Sequence, residues 1–294
     1  MKALPIIFGG SGNPFIFKDA VAAYSLRIPS KSTYNGALIN VRRSSDNAAQ
    51  DFYAVTTADG NGNKKLDTSA LLTFVGSGTG YVTAWYDQSG NGNHATQTVA
   101  TSQPVIVNAG ALITQNGKPA VYATAVSQWL NIFNGSILGN NVSVLPENYV
   151  NSVASLAASV SVSIISNYSP SQFGHGIGNA SSGRFYVYYN QGNYSAAANT
   201  YPFSTLCVVE AQFSTTQGKS GWVNGTNVYF DPVPDTGMGG QTTGQAVLFD
   251  IRSNNGAAGD KYISEILVTK TNVNATSRKA IERDQGVYYG ITIS

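Results

Sequence analysis

Short runs of aromatic and β-branched residues, each closed off by Gly, Asn, Ser or Pro, recur along the chain and leave little room for anything but strands. Gly183–Tyr189, Thr205–Phe213 and Gln245–Arg252 are the clearest of them. Within Gly221–Tyr229 the pair Asn224-Gly225 can supply the two positive φ angles of a type I′ turn. Strand-like residues flank that pair, so a hairpin of fixed register is expected there. Two segments carry helix signals instead. Asp67-Thr68 can cap a short helix that runs through Val75 and stops at Gly76, and Ala275–Tyr288 carries Arg278, Lys279, Glu282 and Arg283 around Ile281. Between Gln128 and Ser166 the residues turn to Asn, Ser, Val and Ala without clean boundaries, which leaves open an irregular insertion or weakly patterned strands. The expected fold class is all-β, a predominantly antiparallel β-sandwich with one or two short helices.

A length of 294 residues permits one large domain or two small ones, and neither an internal repeat nor a linker divides the chain. Hydrophobic residues at 42% are enough for a sizeable core, but charged residues make up only 11%, against about a quarter in typical soluble proteins. A net charge of +2 with scattered Lys and Arg does not make the basic footprint that nucleic acid requires. Cys207 is the single cysteine, so no intrachain disulfide can form. Its setting in Leu206-Cys207-Val208-Val209 reads as a small buried hydrophobe rather than a reactive thiol. No apolar stretch reaches the 18 residues of a membrane span. The start, Met1 to Phe8, has one positive charge and is interrupted by Pro5 and then Gly9-Gly10, a poor secretory signal. It is expected to be retained, packed on its own domain or tethering the chain to a partner.

Candidate chemistry is sparse. In the stretch Tyr81 to Gln97, Asp87, Ser89 and Asn91 precede Gly92 at the spacing of half a calcium loop, but position twelve is Thr98, and an Asx-type turn closed by Asp87 is the competing reading. Asp59, Asn61, Asn63 and Asp67 form a second oxygen-rich loop with Lys64 where a glycine is wanted. A weakly held calcium at either loop is the one cofactor the residues suggest. Glycoside hydrolysis needs an acid and a second carboxylate flanking one bond. Asp46, Asp51, Asp87, Glu210, Asp250 and Glu265 are the candidates for that role, with Glu210 and Glu265 standing out because they interrupt apolar strand-like runs. His94 and His175 have neither a nucleophile nor a second metal ligand nearby in sequence. Tyr186, Tyr188, Tyr194 and Trp222 are of the types that stack on sugar rings, and equally of the types that fill a sheet core.

Several separated segments are recognisable together. Ala22–Arg27, Val41–Asp51, Leu66–Thr68, Val82–Gln97, Gln103-Pro104 and Asn116–Pro119 resemble, in order, the start of the α-L-arabinofuranosidase B catalytic-domain family, and the block also looks like one found in bacteriophage virion proteins. Trp222–Gly225, Tyr262–Val268 and Tyr288–Ile291 are similar to concanavalin A-like, laminin-G-type jelly rolls. The resemblance implies one jelly roll over residues 19–294, preceded by an attachment segment at 1–18. It also implies an architectural part for Asp87 in tying a turn, and for Arg43 in pairing with Asp46 or Asp51. The family's catalytic carboxylates lie downstream of the shared block, in a pattern absent here, so none is carried over. The expectation drawn from this is a bacteriophage fibre, spike or decoration protein rather than an enzyme. It would sit on the virion surface, held to other virion proteins through its N-terminal segment and binding a cell-surface glycan, as a homo-oligomer in keeping with virion assembly. The alternatives are a glycoside hydrolase of arabinofuranosidase type and a capsid or tail component without a ligand.

Overall fold

A computed structural model describes residues 20–30, 32–123, 127–132, 148–156, 162–167, 176–179, 185–189, 192–195, 201–214, 217–232, 246–248 and 260–294, with only the backbone path for the strands between 162 and 195. The 1–18 segment lies outside the described residues. The labelled elements are β1 (Ala22–Ser25), β2 (Ile39–Arg43), β3 (Ala49–Phe52), α1 (Thr68–Val75), β4 (Gly80–Trp85), β5 (Val105–Asn108), β6 (Val121–Ala123), β7 (Asn148–Leu156), β8 (Cys207–Ser214), β9 (Gly218–Val223), β10 (Thr226–Asp231), β11 (Lys261–Thr269) and α2 (Ala275–Tyr289).

Among the described residues every strand pairing is antiparallel, and the strands form the two leaves of a sandwich. In the first leaf the order is β10-β9-β8-β7-β11, with β1 and β6 sharing the outer edge of β11. In the second, β3-β2-β4 continues through Ala95–Thr96, Leu130–Ile132, Ala246–Leu248 and Val162–Asn167 to the paired strands Gly176–Asn179, Phe185–Tyr189 and Gly192–Ser195. The leaves are joined where β5 pairs with both β4 and β6. Trp85, Tyr24, Val150, Ile266, Val209 and Phe52 belong to the buried apolar layer between them. The single cysteine lies in that layer, with burial pushing its thiol up to about 11.

Local signals explain the elements that hold this frame. Asp67 accepts a hydrogen bond from the Ala70 N–H at 2.9 Å and starts α1, and Gly76 ends it at φ 64°, so the helix runs over the residues the sequence marked. At the β9–β10 turn Asn224 and Gly225 have φ 49° and 84°, as a type I′ hairpin requires. One open alternative is decided as a strand. Residues 148–156, left between an irregular insertion and weak strands, are the nine-residue strand β7, which pairs along its length with both β8 and β11.

The register of the first leaf decides what meets α2. Across it, Ala23, Leu267, Asn151, Glu210 and Trp222 form one row, and Ser25, Glu265, Val153 and Val208 the next. Both rows lie on the face covered by α2, whose buried side is Arg278, Ile281, Glu282, Gln285, Tyr288 and Tyr289 at helical spacing. Gly286 lets the chain fold back after the helix, since a Cβ there would stand 2.6 Å from Ile293 Cγ1.

Candidate functional site

The polar stripe of α2 and the polar row of the sheet meet in a closed network. Glu265 is fully buried and accepts hydrogen bonds from Ser25 Oγ at 2.9 Å, Arg27 Nε at 3.0 Å, Gln285 Nε2 at 3.0 Å and Tyr289 Oη at 3.1 Å. Arg27, equally buried, also donates to Asn63 Oδ1 at 2.7 Å and to Asp284, and its guanidinium lies 4.4 Å from the Tyr288 ring centre. Burial works against the charge on Arg27, but Glu265 and Asp284 outweigh it and hold the guanidinium protonated.

Glu210 lies one row away and is tied to the same network. Asn151 Nδ2 donates to Glu210 Oε1 at 3.1 Å and to Gln285 Oε1 at 2.9 Å, while Gln285 Nε2 donates back to Asn151 Oδ1 at 2.6 Å. Glu210 also takes hydrogen bonds from Tyr149 and from Arg278, the latter at 3.1 Å, and Arg278 bridges to Glu282. The Arg278 guanidinium stacks 4.4 Å over Trp222. Burial, then the facing Glu282 carboxyl, push Glu210 well above the usual carboxylate range, while Tyr149 and Arg278 pull the other way.

The sign of that shift gives a test. The folded state keeps a proton on Glu210 that the unfolded chain loses near the ordinary carboxylate value. Wild-type stability therefore falls as pH rises above that value, by up to about 1.4 kcal/mol per pH unit until Glu210 itself ionises. Glu210→Gln removes this loss and keeps a donor toward Glu282. Its melting temperature is expected to match wild type near pH 4 and to exceed it increasingly toward pH 8. A gap that does not change with pH in thermal unfolding rules the account out.

The structure thus brings Glu210 and Glu265 together through Asn151 and Gln285, both fully buried beneath α2. Trp222 is half-buried under the Arg278 guanidinium. Tyr186, Tyr188 and Tyr194 have side chains outside the described residues, but backbone register pairs Tyr194 with Val187 and Tyr186 with Ser195. Asp250 and His175 lie outside the described residues. His94 Nδ1 accepts from the Asp87 N–H at 3.0 Å.

In both oxygen-rich loops the acidic side chains accept hydrogen bonds from the protein. Asp87, 2% exposed, accepts from the Ala23, Ser89 and Asn93 N–H groups and from Ser89 Oγ at 2.7–3.0 Å, which ties the turn to β1. Asp59 accepts from the Asn61 and Asn63 N–H groups, Asn63 Oδ1 accepts from Arg27, and Asp67 caps α1. Among the described residues no three acidic, His or Cys side chains gather as a metal site. Arg43 clasps Asp46 with two hydrogen bonds of 2.7 and 2.8 Å and donates to the Phe74 carbonyl at 3.0 Å.

One solvent-facing region collects polar and aromatic groups. Asp51 on β3 accepts from Asn40 Nδ2 at 2.6 Å and from Tyr86 Oη at 2.7 Å. Beside it, half-buried Tyr34 borders a cleft of about 220 Å³ between residues 32–35 and 88–90. Burial first, then the charges of Asp87 and Asp51, raise the Tyr34 hydroxyl to about 12. Sequence reasoning missed Tyr34 and Gln88 here, and Arg27, Asn151, Asp284 and Gln285 in the network. The available signal was polar residues at alternate strand positions facing Arg278, Glu282 and Gln285 at spacings of four and three.

This architecture is a jelly-roll-like β-sandwich with a helix sealing one leaf. Residues 10–130 match the family model of the α-L-arabinofuranosidase B catalytic domain. The α-L-arabinofuranosidase B of Emericella nidulans is 32% identical over 150 residues, covering 48% of this chain and 27% of that protein. A probable α-L-arabinofuranosidase B of Aspergillus clavatus is 33% identical over 145 residues, covering 46% and 26%. Among solved structures, a GH54 α-L-arabinofuranosidase soaked with a cyclic sulfate inhibitor overlays 90% of this chain and 62% of its own, with a TM-score of 0.67 and 17% identity. An arabinofuranosidase complexed with arabinofuranosyl-α-1,2-xylobiose overlays the same shares with a TM-score of 0.63 and 19% identity. The chain spans about a quarter of the length of these curated relatives.

These matches correct the expectation of a non-enzymatic bacteriophage virion protein on a particle surface. The sequence relatives are fungal arabinofuranosidases B, and the fold is that of solved arabinofuranosidases. Low charge and polar loops describe a surface and are silent on chemistry, and the Trp85 to Gln97 block is a turn tied by Asp87 that any such sandwich can use.

Proposed function

We propose that this chain is a glycoside hydrolase of the α-L-arabinofuranosidase type, acting on arabinofuranosyl side chains of a glycan. The observation that carries the reading is the match of residues 10–130 to the arabinofuranosidase B catalytic domain, on a sandwich that overlays arabinofuranosidase structures over most of the chain. Hydrolysis requires an acid and a second carboxylate about 5–9.5 Å apart around an accessible bond. Glu210 and Glu265, sealed under α2, do not meet that requirement, so in this reading they hold the sheet and helix together while other carboxylates do the chemistry.

Release of 4-nitrophenol from 4-nitrophenyl α-L-arabinofuranoside and of arabinose from arabinoxylan measures the activity directly. Saturable turnover is expected from the full chain, and Glu210→Gln is expected to retain it within about threefold, against the 100-fold or greater loss typical of a general acid or base. Absence of turnover on both substrates sinks the hydrolase reading. Turnover abolished in a folded Glu210→Gln protein sinks the assignment of Glu210 to the frame.

A further inference from the structure

Seven Asn-Gly pairs run through the chain, beginning at Asn35, Asn61, Asn91, Asn116, Asn134, Asn224 and Asn255. Asn134 and Asn255 lie outside the described residues, and the other five pairs differ in what holds them. In an Asn-Gly pair the glycine nitrogen can reach the asparagine Cγ, because no Cβ on the glycine shields it. The N–Cγ bond forms, the Cγ–Nδ2 bond breaks, and Nδ2 leaves as ammonia with the glycine N–H proton. Water then opens the resulting succinimide at either carbonyl, giving aspartate or isoaspartate. The reaction needs no enzyme, but it needs an asparagine amide free to turn and a glycine N–H free to lose its proton.

Four pairs have one of these groups tied. Asn91 Nδ2 donates to the Ala20 carbonyl at 2.9 Å and to Ser89 Oγ at 3.0 Å. Asn116 Nδ2 donates to the Tyr289 carbonyl at 3.1 Å, and Asn224 Oδ1 accepts from the Val208 N–H at 2.9 Å. At Asn61 the nucleophile is the tied group, since the Gly62 N–H donates to the Asp59 carbonyl at 2.9 Å. Asn35 differs from all four: it is exposed, it lies in irregular chain ahead of β2, and among the described residues neither its amide nor the Gly36 N–H makes a hydrogen bond. The packing around it also favours keeping the glycine. Tyr34 Oη donates to the Ala37 carbonyl at 2.6 Å, and a Cβ on residue 36 would stand 2.6 Å from that same oxygen.

We propose that Asn35-Gly36 is a site of spontaneous deamidation, reacting ahead of the other four described pairs because the fold restrains those and leaves this one free. Asn35 lines the cleft between residues 32–35 and 88–90, so the product adds a carboxylate to its wall, and isoaspartate also inserts a methylene into the backbone leading to β2. The test incubates the full chain in mildly alkaline buffer below its melting temperature and follows each pair by peptide mass mapping. Residue 35 is expected to convert at least about fivefold faster than residues 61, 91, 116 and 224, whose hydrogen bonds must open first. In urea those hydrogen bonds are lost and the five rates are expected to converge. Asn35→Gln is expected to lack the conversion at residue 35 while the other four keep their folded-state rates. Conversion of any of the other four as fast as Asn35 in the folded chain overturns the proposal. So does a lead for Asn35 that persists unchanged in urea, since local sequence rather than the fold would then set the order. If Asn35→Gln does not fold, the comparison of folded and urea-treated wild type decides.

Discussion

Arg27→Met is expected to lower the free energy of unfolding by about 3–5 kcal/mol, read as a large drop in the urea midpoint, because it leaves Glu265 and the mostly buried Asp284 without their cation. The side chain is fully buried and sits where β1, α2 and the Asn63 loop converge, so the loss is felt by three elements at once. Methionine approximates the volume of the arginine stem, so the cost isolates the unpaired carboxylates rather than a cavity. The triple variant Arg27→Met, Glu265→Gln, Asp284→Asn removes the charges together and is expected to recover most of the loss, as neutral replacements of buried ion pairs commonly do. A single variant within about 1 kcal/mol of wild type overturns the account, and so does a triple variant no more stable than the single.

The same network explains why two carboxylates in apolar strands resembled a catalytic pair. A glutamate inside an otherwise apolar run signals a strong local constraint, but sequence alone does not say whether the constraint is a substrate or a second layer of protein. Here it is the second layer. Gln285 reaches Asn151 across 134 residues, and Arg278 reaches Glu210 across 68, so the polar pattern of each element is visible locally but not that the two face each other. The strand Asn148–Leu156 stayed open against an irregular insertion for the related reason that its helix-facing side carries Asn151 where strand patterns lead one to expect an aliphatic residue. Elements whose signals are local were legible: Asp67 and Gly76 bound α1, and Asn224-Gly225 turned the β9–β10 hairpin. The cleft at Tyr34 was hidden because its two sides are more than fifty residues apart and neither bears a charge.

Asp87 carries the second large effect, and its size follows from how many donors it satisfies. Three backbone N–H groups and the Ser89 hydroxyl point at its two oxygens, so Asp87→Ala strands up to four buried donors at about 1–3 kcal/mol each. Some will find water or one another, and the expected loss is about 4 kcal/mol, comparable to removing a large core side chain. Asp87→Asn preserves shape but must turn an NH₂ toward at least one backbone N–H whichever way the amide is placed. It is expected to cost about 2–3 kcal/mol, more than an exposed Asp-to-Asn change. A calcium site would show a different signature. Millimolar calcium would raise the wild-type melting temperature by mass action, a chelator would lower it, and Asp87→Asn would lose the response. With both oxygens already engaged by protein donors, no shift with calcium or chelator is expected, and the destabilisation of both variants should be the same in either buffer. A calcium-dependent midpoint that disappears in Asp87→Asn would transfer this carboxylate from turn to metal ligand.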